Sequence, residues 1–83
     1  MVWLSLKILN SPRAGVFISV PKKIVPLAVS RNRLRRLIRE AVRADAYFEG
    51  EKSFTFKVLS SAPGLKLGDV KRVIEDLKEE SIH

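Results

Sequence analysis

Between Ser30 and Arg43 the chain commits to an amphipathic helix, and that helix dictates what the remaining residues must supply. The thirteen residues after Ser30 hold six arginines and a single acid, Glu40. At 100° per residue, Leu34, Leu37, Ile38, Ala41 and Val42 share one face, while Asn32, Arg35, Arg36, Arg39 and Arg43 gather on the opposite one. The apolar face needs a covering layer; the charged face needs water or a polyanion. A guanidinium is flat, permanently charged and forked, so it matches phosphate oxygens in pairs where a lysine offers a point charge. Ser30 is the expected N-cap, with the helix running to about Ala46 and fading toward Gly50. Glu40, four residues after Arg36 and three before Arg43, relieves some like-charge repulsion.

The covering layer reads as strands. Residues 2–8 alternate, with Val2, Leu4, Leu6 and Ile8 on one side and Trp3, Ser5 and Lys7 on the other. Residues 10–15 have turn chemistry, so the next run should form a hairpin with the first, placing Val16, Ile18 and Val20 on one face and Phe17 and Ser19 on the other. Pro21 interrupts it, and Pro26 excludes a central strand over 24–28, leaving room for a short edge strand or bulged extension near 27–29. Residues 53–59 alternate again, with Phe54, Phe56 and Val58 sharing a face, and 60–64 form a loop. A last helix starts near Gly68 or Asp69 and shows Val70, Val73, Ile74 and Leu77 at helical spacing. The expected fold is α+β: one domain over 1–83 in which a small, mostly antiparallel sheet of three to four strands packs with two helices, in the order β-β-(β)-α-β-α.

Charge is divided unevenly. Of the net +7, residues 1–44 carry ten Lys/Arg against one acid, whereas residues 45–83 carry six against eight. A positive field confined to the first half suits a polyanion-binding face on an ordinary scaffold, and the expected partner is a nucleic acid. The chain contains no cysteine, which excludes disulfide and thiolate chemistry and fits an intracellular protein. No apolar run approaches the ~20 residues that span a bilayer. The N-terminus reads as a strand rather than a signal peptide, so a soluble, cytoplasmic protein without a membrane partner is expected.

Catalytic constellations are missing from the sequence. The one histidine is the terminal His83, no zinc-ligand spacing occurs, and no glycine-rich phosphate loop appears. Glu75, Asp76, Glu79 and Glu80 are interleaved with Lys71, Arg72 and Lys78, the pattern of a solvated helix surface. A protein-only nuclease would need a carboxylate or histidine cluster in the basic half. A major-groove DNA reader would want a helix-turn-helix partner or a dimer, and the strand-rich flanks argue against it.

Arg31-Asn32-Arg33, followed by Arg36 and by Arg39-Glu40 and preceded by Ser19-Val20, Lys22-Lys23 and Ala28-Val29, resembles the protein component of bacterial ribonuclease P. The resemblance covers essentially the whole chain, with its specificity in residues 19–43. It implies a subunit of a holoenzyme that matures the 5′ end of transfer RNA, in which the RNA subunit performs the hydrolysis with Mg²⁺ and the protein supplies no catalytic side chain. The implied partners are ribonuclease P RNA and precursor tRNA, with no DNA; the ion is held mainly by RNA. Carried onto this sequence, the RNA contacts are Arg31, Asn32, Arg33, Arg35, Arg36, Arg39 and Arg43, extended by Lys22 and Lys23. Arg31, near the apolar side of the helical wheel, also reads as structural.

The resemblance further assigns Ser5, Phe17, Ser19 and Phe56 to a cleft for the unpaired 5′ leader, where stacking and small polar groups suit single-stranded RNA. Phe56 shares its parity with Phe54 and Val58, which favours a core reading for it. The implied crossover through the arginine helix is left-handed, which is rare. Three departures stand out. The family carries an additional N-terminal helix, whereas Val2 here already opens the first strand. Ile24-Val25-Pro26-Leu27 replaces a shorter, glycine-containing connection, and Phe17 stands where a glycine is usual. The alternative reading is a general RNA- or ribosome-binding module with no processing role.

Overall fold

The computed structural model describes residues 3–10, 14–48, 52–61 and 64–82. Val2, residues 11–13 of the expected turn, Gly50, Ala62, Pro63 and His83 lie outside the described residues. The alternating segments form three strands, β1 (Leu4–Asn10), β2 (Gly15–Ser19) and β3 (Lys52–Val58). The two amphipathic segments form α1 (Ala28–Arg43) and α2 (Leu67–Ile82), and a short 3₁₀ turn, Ala46–Phe48, follows α1.

The sheet order is β1-β3-β2. β3 runs antiparallel to β1, pairing Leu6 with Phe56, and parallel to β2, pairing Ile18 with Phe56. The expected β1–β2 hairpin is therefore absent: the last strand in sequence separates the first two, and the sheet is mixed rather than mostly antiparallel. Burial explains the choice. Phe54, Phe56 and Val58 are almost entirely enclosed, whereas Val16 and Ile18 of β2 are only half-buried, so the centre goes to the strand with most apolar surface to hide. The connection from Asn10 to Gly15 can reach roughly 17 Å when extended, enough to step over one strand at about 4.8 Å spacing.

Both helices cover one face of this sheet. Leu34, Ile38, Ala41 and Val42 of α1 and Val70, Ile74 and Leu77 of α2 close a single core over Leu4, Phe54, Phe56 and Val58. Phe48 bridges the layers, meeting Phe54 and Phe56 edge-on at centroid distances of 5.1 and 5.5 Å. Trp3 is partly buried against the same core, and its carbonyl accepts a 2.7 Å hydrogen bond from the Leu59 amide.

The ends of α1 depart from the sequence expectation. The helix begins at Ala28, not at Ser30, and Leu27 precedes it in an extended conformation without a capping side chain. The Leu27 carbonyl already accepts from the Arg31 amide at 3.0 Å, which leaves Ser30 inside the first turn and no edge strand at 27–29. At the other end α1 stops at Arg43, because Asp45 turns the chain: its Oδ1 accepts from the Tyr47 amide at 3.0 Å and opens the 3₁₀ turn. α2 starts at Leu67, with the Asp69 carboxylate reaching back to the Lys66 amide at 3.0 Å, half of a capping box.

The two helices run in the same direction and are pinned at both ends. Near their starts Arg33 Nη2 donates to the Leu65 carbonyl at 2.8 Å; near their ends Lys78 Nζ meets Asp45 Oδ2 at 2.7 Å. The Lys78 ammonium, and secondarily the Tyr47 amide, hold the Asp45 carboxyl below its ordinary value of 3.8, and the same bond raises Lys78. A carboxylate lowered on folding contributes stability that is present above its unfolded value and is lost as pH falls through the folded one. Asp45→Asn should therefore lower the melting temperature by a few degrees at pH 7, with the gap to wild type closing as pH falls below 3.8 in thermal unfolding.

Candidate nucleic-acid interface

With Leu34, Ile38, Ala41 and Val42 committed to the core, the geometry of a helix sends residues on the opposite arc outward. Asn32, Arg33, Arg36, Arg39 and Arg43 are exposed, and Arg35 lies half-buried at the edge of the ridge. Among the described residues both ion pairs belong to Lys78, so no arginine of α1 is paired with a described carboxylate. The charge of the ridge is available to an external partner. Val29, 80% exposed, stands on the same ridge one turn-pair before Arg36.

Two arginines of the predicted set hold protein carbonyls. Arg33, though exposed, spends part of its fork on Leu65. Arg31 is half-buried, and its Nη1 donates to the carbonyls of Val25 at 3.1 Å and Pro26 at 2.7 Å. Lys22 and Lys23 are exposed on the turn that ends at Val25, where the amides of Ile24 and Val25 both donate to the Pro21 carbonyl at 3.0 Å.

The sheet's uncovered face supplies a second surface. Registers place Ser5, Lys57 and Ser19 in one row across the three strands and Lys7, Thr55 and Phe17 in the next. Phe17 is 48% exposed, Ser19 is exposed, and the Ser5 hydroxyl donates to the Lys57 carbonyl at 3.4 Å. Phe56 does not belong with them. It is wholly buried on the opposite face, because its parity is that of Phe54 and Val58, and it has no surface to offer a leader. Lys7, Thr55 and Lys57 were not among the expected site residues. The signal for them was the same alternation: they occupy the positions between the apolar ones. Since the helices cover only one face, the arginine ridge and this sheet face look away from each other.

A protein-family model described as Ribonuclease P matches residues 1–80, taking in the ridge, the sheet and nearly all of α2. The chain belongs to the ribonuclease P family. Among relatives within it, the ribonuclease P protein component of Aliivibrio fischeri is 33% identical over 69 residues, covering 83% of this chain and 57% of that protein. The ribonuclease P protein component of Vibrio parahaemolyticus is 35% identical over the same length, with the same coverage. That of Chlorobium phaeobacteroides is 64% identical over 34 residues, 41% of this chain and 23% of the relative. The chain thus spans little more than half the length of the Aliivibrio and Vibrio relatives. No solved structure matches it significantly. No helix among the described residues is long and apolar enough to cross a membrane.

Proposed function

We propose that this chain acts as the protein subunit of a ribonuclease P, binding the catalytic RNA through the α1 ridge and holding the 5′ leader of precursor tRNA on the uncovered sheet face. The observation that carries this reading is a rank of arginines on α1 that no described carboxylate pairs, in a member of this family. Arg35, Arg36, Arg39 and Arg43 pair with backbone phosphates, Asn32 hydrogen-bonds at the start of the ridge, and Lys22 and Lys23 extend the track. On the other side Phe17 stacks on an unpaired base while Lys7 and Lys57 meet the leader backbone, a sequence-tolerant mode of holding single strands. In this proposal Mg²⁺ stays with the RNA, which performs the hydrolysis. The protein's own work is electrostatic screening and positioning.

Cleavage by a ribonuclease P RNA at limiting Mg²⁺ tests the proposal, with substrates carrying either a long or a one-nucleotide leader. The protein should accelerate cleavage of the long-leader substrate. Phe17→Ala should raise its KM by at least about fivefold, because one base stack is worth roughly 1–3 kcal/mol, and should leave the short-leader substrate unaffected. Tight RNA binding without any acceleration would instead mean a general RNA-binding module.

A further inference from the structure

Arg31 belongs to the arginine-rich segment by sequence and to the turn before it by contact. The turn over residues 21–25 is closed from inside by the Ile24 and Val25 amides on the Pro21 carbonyl, and the buried Val25 side chain plugs it into the core. Its exit is the weak point. Pro26 has no N–H to give, and a residue that precedes proline is kept out of helical geometry, so the turn cannot run on into α1. The carbonyls of Val25 and Pro26 therefore find no partner in the helix ladder. The Arg31 Nη1 fills that gap by donating to both, at 3.1 and 2.7 Å. The turn held in this way carries Lys22 and Lys23, both exposed.

We propose that Arg31 is a positioning residue: it contributes to RNA binding by fixing the turn that presents Lys22 and Lys23, rather than by touching phosphate itself. This rests on the reading of the ridge as an RNA surface. Half-buried and bound to two carbonyls, Arg31 is set back from the exposed line of Arg36, Arg39 and Arg43. Its fork is engaged with the main chain and not with the exposed ridge. Releasing it leaves the two lysines on a turn tethered only at Pro21 and Val25, so holding them against RNA costs extra ordering entropy.

The test is a double-mutant cycle read through the salt dependence of binding to a ribonuclease P RNA, with the full chain and its variants. Each phosphate contact contributes about one unit to the slope of log K against log salt, and Arg36→Ala supplies the reference loss. Arg31→Ala should weaken binding about three- to tenfold at roughly 0.15 M salt. It should also flatten the slope and speed amide exchange at Ile24 and Val25. In a Lys22→Ala/Lys23→Ala background it should change neither affinity nor slope further, and Arg31→Lys should restore part of the loss. A further drop of about one slope unit in the double-lysine background would make Arg31 a phosphate ligand and overturn the inference. A lowered melting temperature with an unchanged slope would make it purely structural, which overturns it equally. If Arg36→Ala and the lysine pair both leave the slope unchanged, the RNA-surface reading falls and takes the inference with it.

Discussion

Reversing Arg36 and Arg43 to glutamate should lower affinity for ribonuclease P RNA by about a hundredfold or more near 0.15 M salt, with a loss of about two units in the salt slope. Both residues lie on the outer arc of α1, and neither is paired with an acid among the described residues. Each is worth a charge-assisted hydrogen bond, roughly 1.5–3 kcal/mol, and the glutamates add repulsion to the loss. The fold should survive. Placing a glutamate four residues before Glu40 and another in the last turn of α1 costs only about 1 kcal/mol in helix stability. Filter binding between ~50 and ~300 mM salt, with circular dichroism as the control, reads both quantities. An unchanged slope would remove the ridge from the interface.

Truncating Phe56 to alanine should have the opposite signature, destroying stability without a specific effect on RNA. The ring is fully enclosed in the central strand and packs against Phe48. A buried Phe→Ala change costs about 3–5 kcal/mol. A domain of this size holds only about 4–12 kcal/mol in total. Thermal unfolding should show a midpoint lowered by roughly 15–30 °C. Phe56→Leu, which keeps most of the volume, should recover most of it. Paired with Phe17→Ala, which should alter leader recognition and spare the melting temperature, this separates the two faces of the sheet by experiment. A Phe56→Ala protein that melted normally while losing leader affinity would reverse the assignment.

Period alone was enough to place side chains on faces. The 3.6-residue spacing of Leu34, Ile38, Ala41 and Val42 fixes which way Arg36 and Arg43 point, and the alternation of Phe54, Phe56 and Val58 fixes what lies between them. Period says nothing about which strand sits beside which. Turn residues at 10–15 argue for a hairpin locally, yet the choice of neighbour is made by total apolar burial, which only the assembled core decides. The start of α1 escaped for a related reason. Ser30 has capping chemistry, but the segment before the helix is secured by Arg31, a contact between a side chain and carbonyls five and six residues upstream that leaves no periodic trace. Phe56 was assigned to a leader cleft by family resemblance against its own parity, and parity prevailed.

The strand order has a consequence for how the protein comes into being on the ribosome. Among the described residues β1 and β2 are joined in the sheet through β3, which begins at Lys52. Until that strand has left the exit tunnel, the first half of the nascent chain can form helical turns but has no sheet to close, and its apolar face stays wet. Every sheet contact then waits for a pairing of long sequence separation, as in Leu4 with Val58, which makes folding slower than the protein's small size suggests. During that interval the most basic stretch of the chain is already outside the ribosome with its core side uncovered. An RNA partner that engages the arginines at this stage would meet them before the scaffold does, and assembly with it and folding of the sheet would then be competing or cooperating events rather than successive ones.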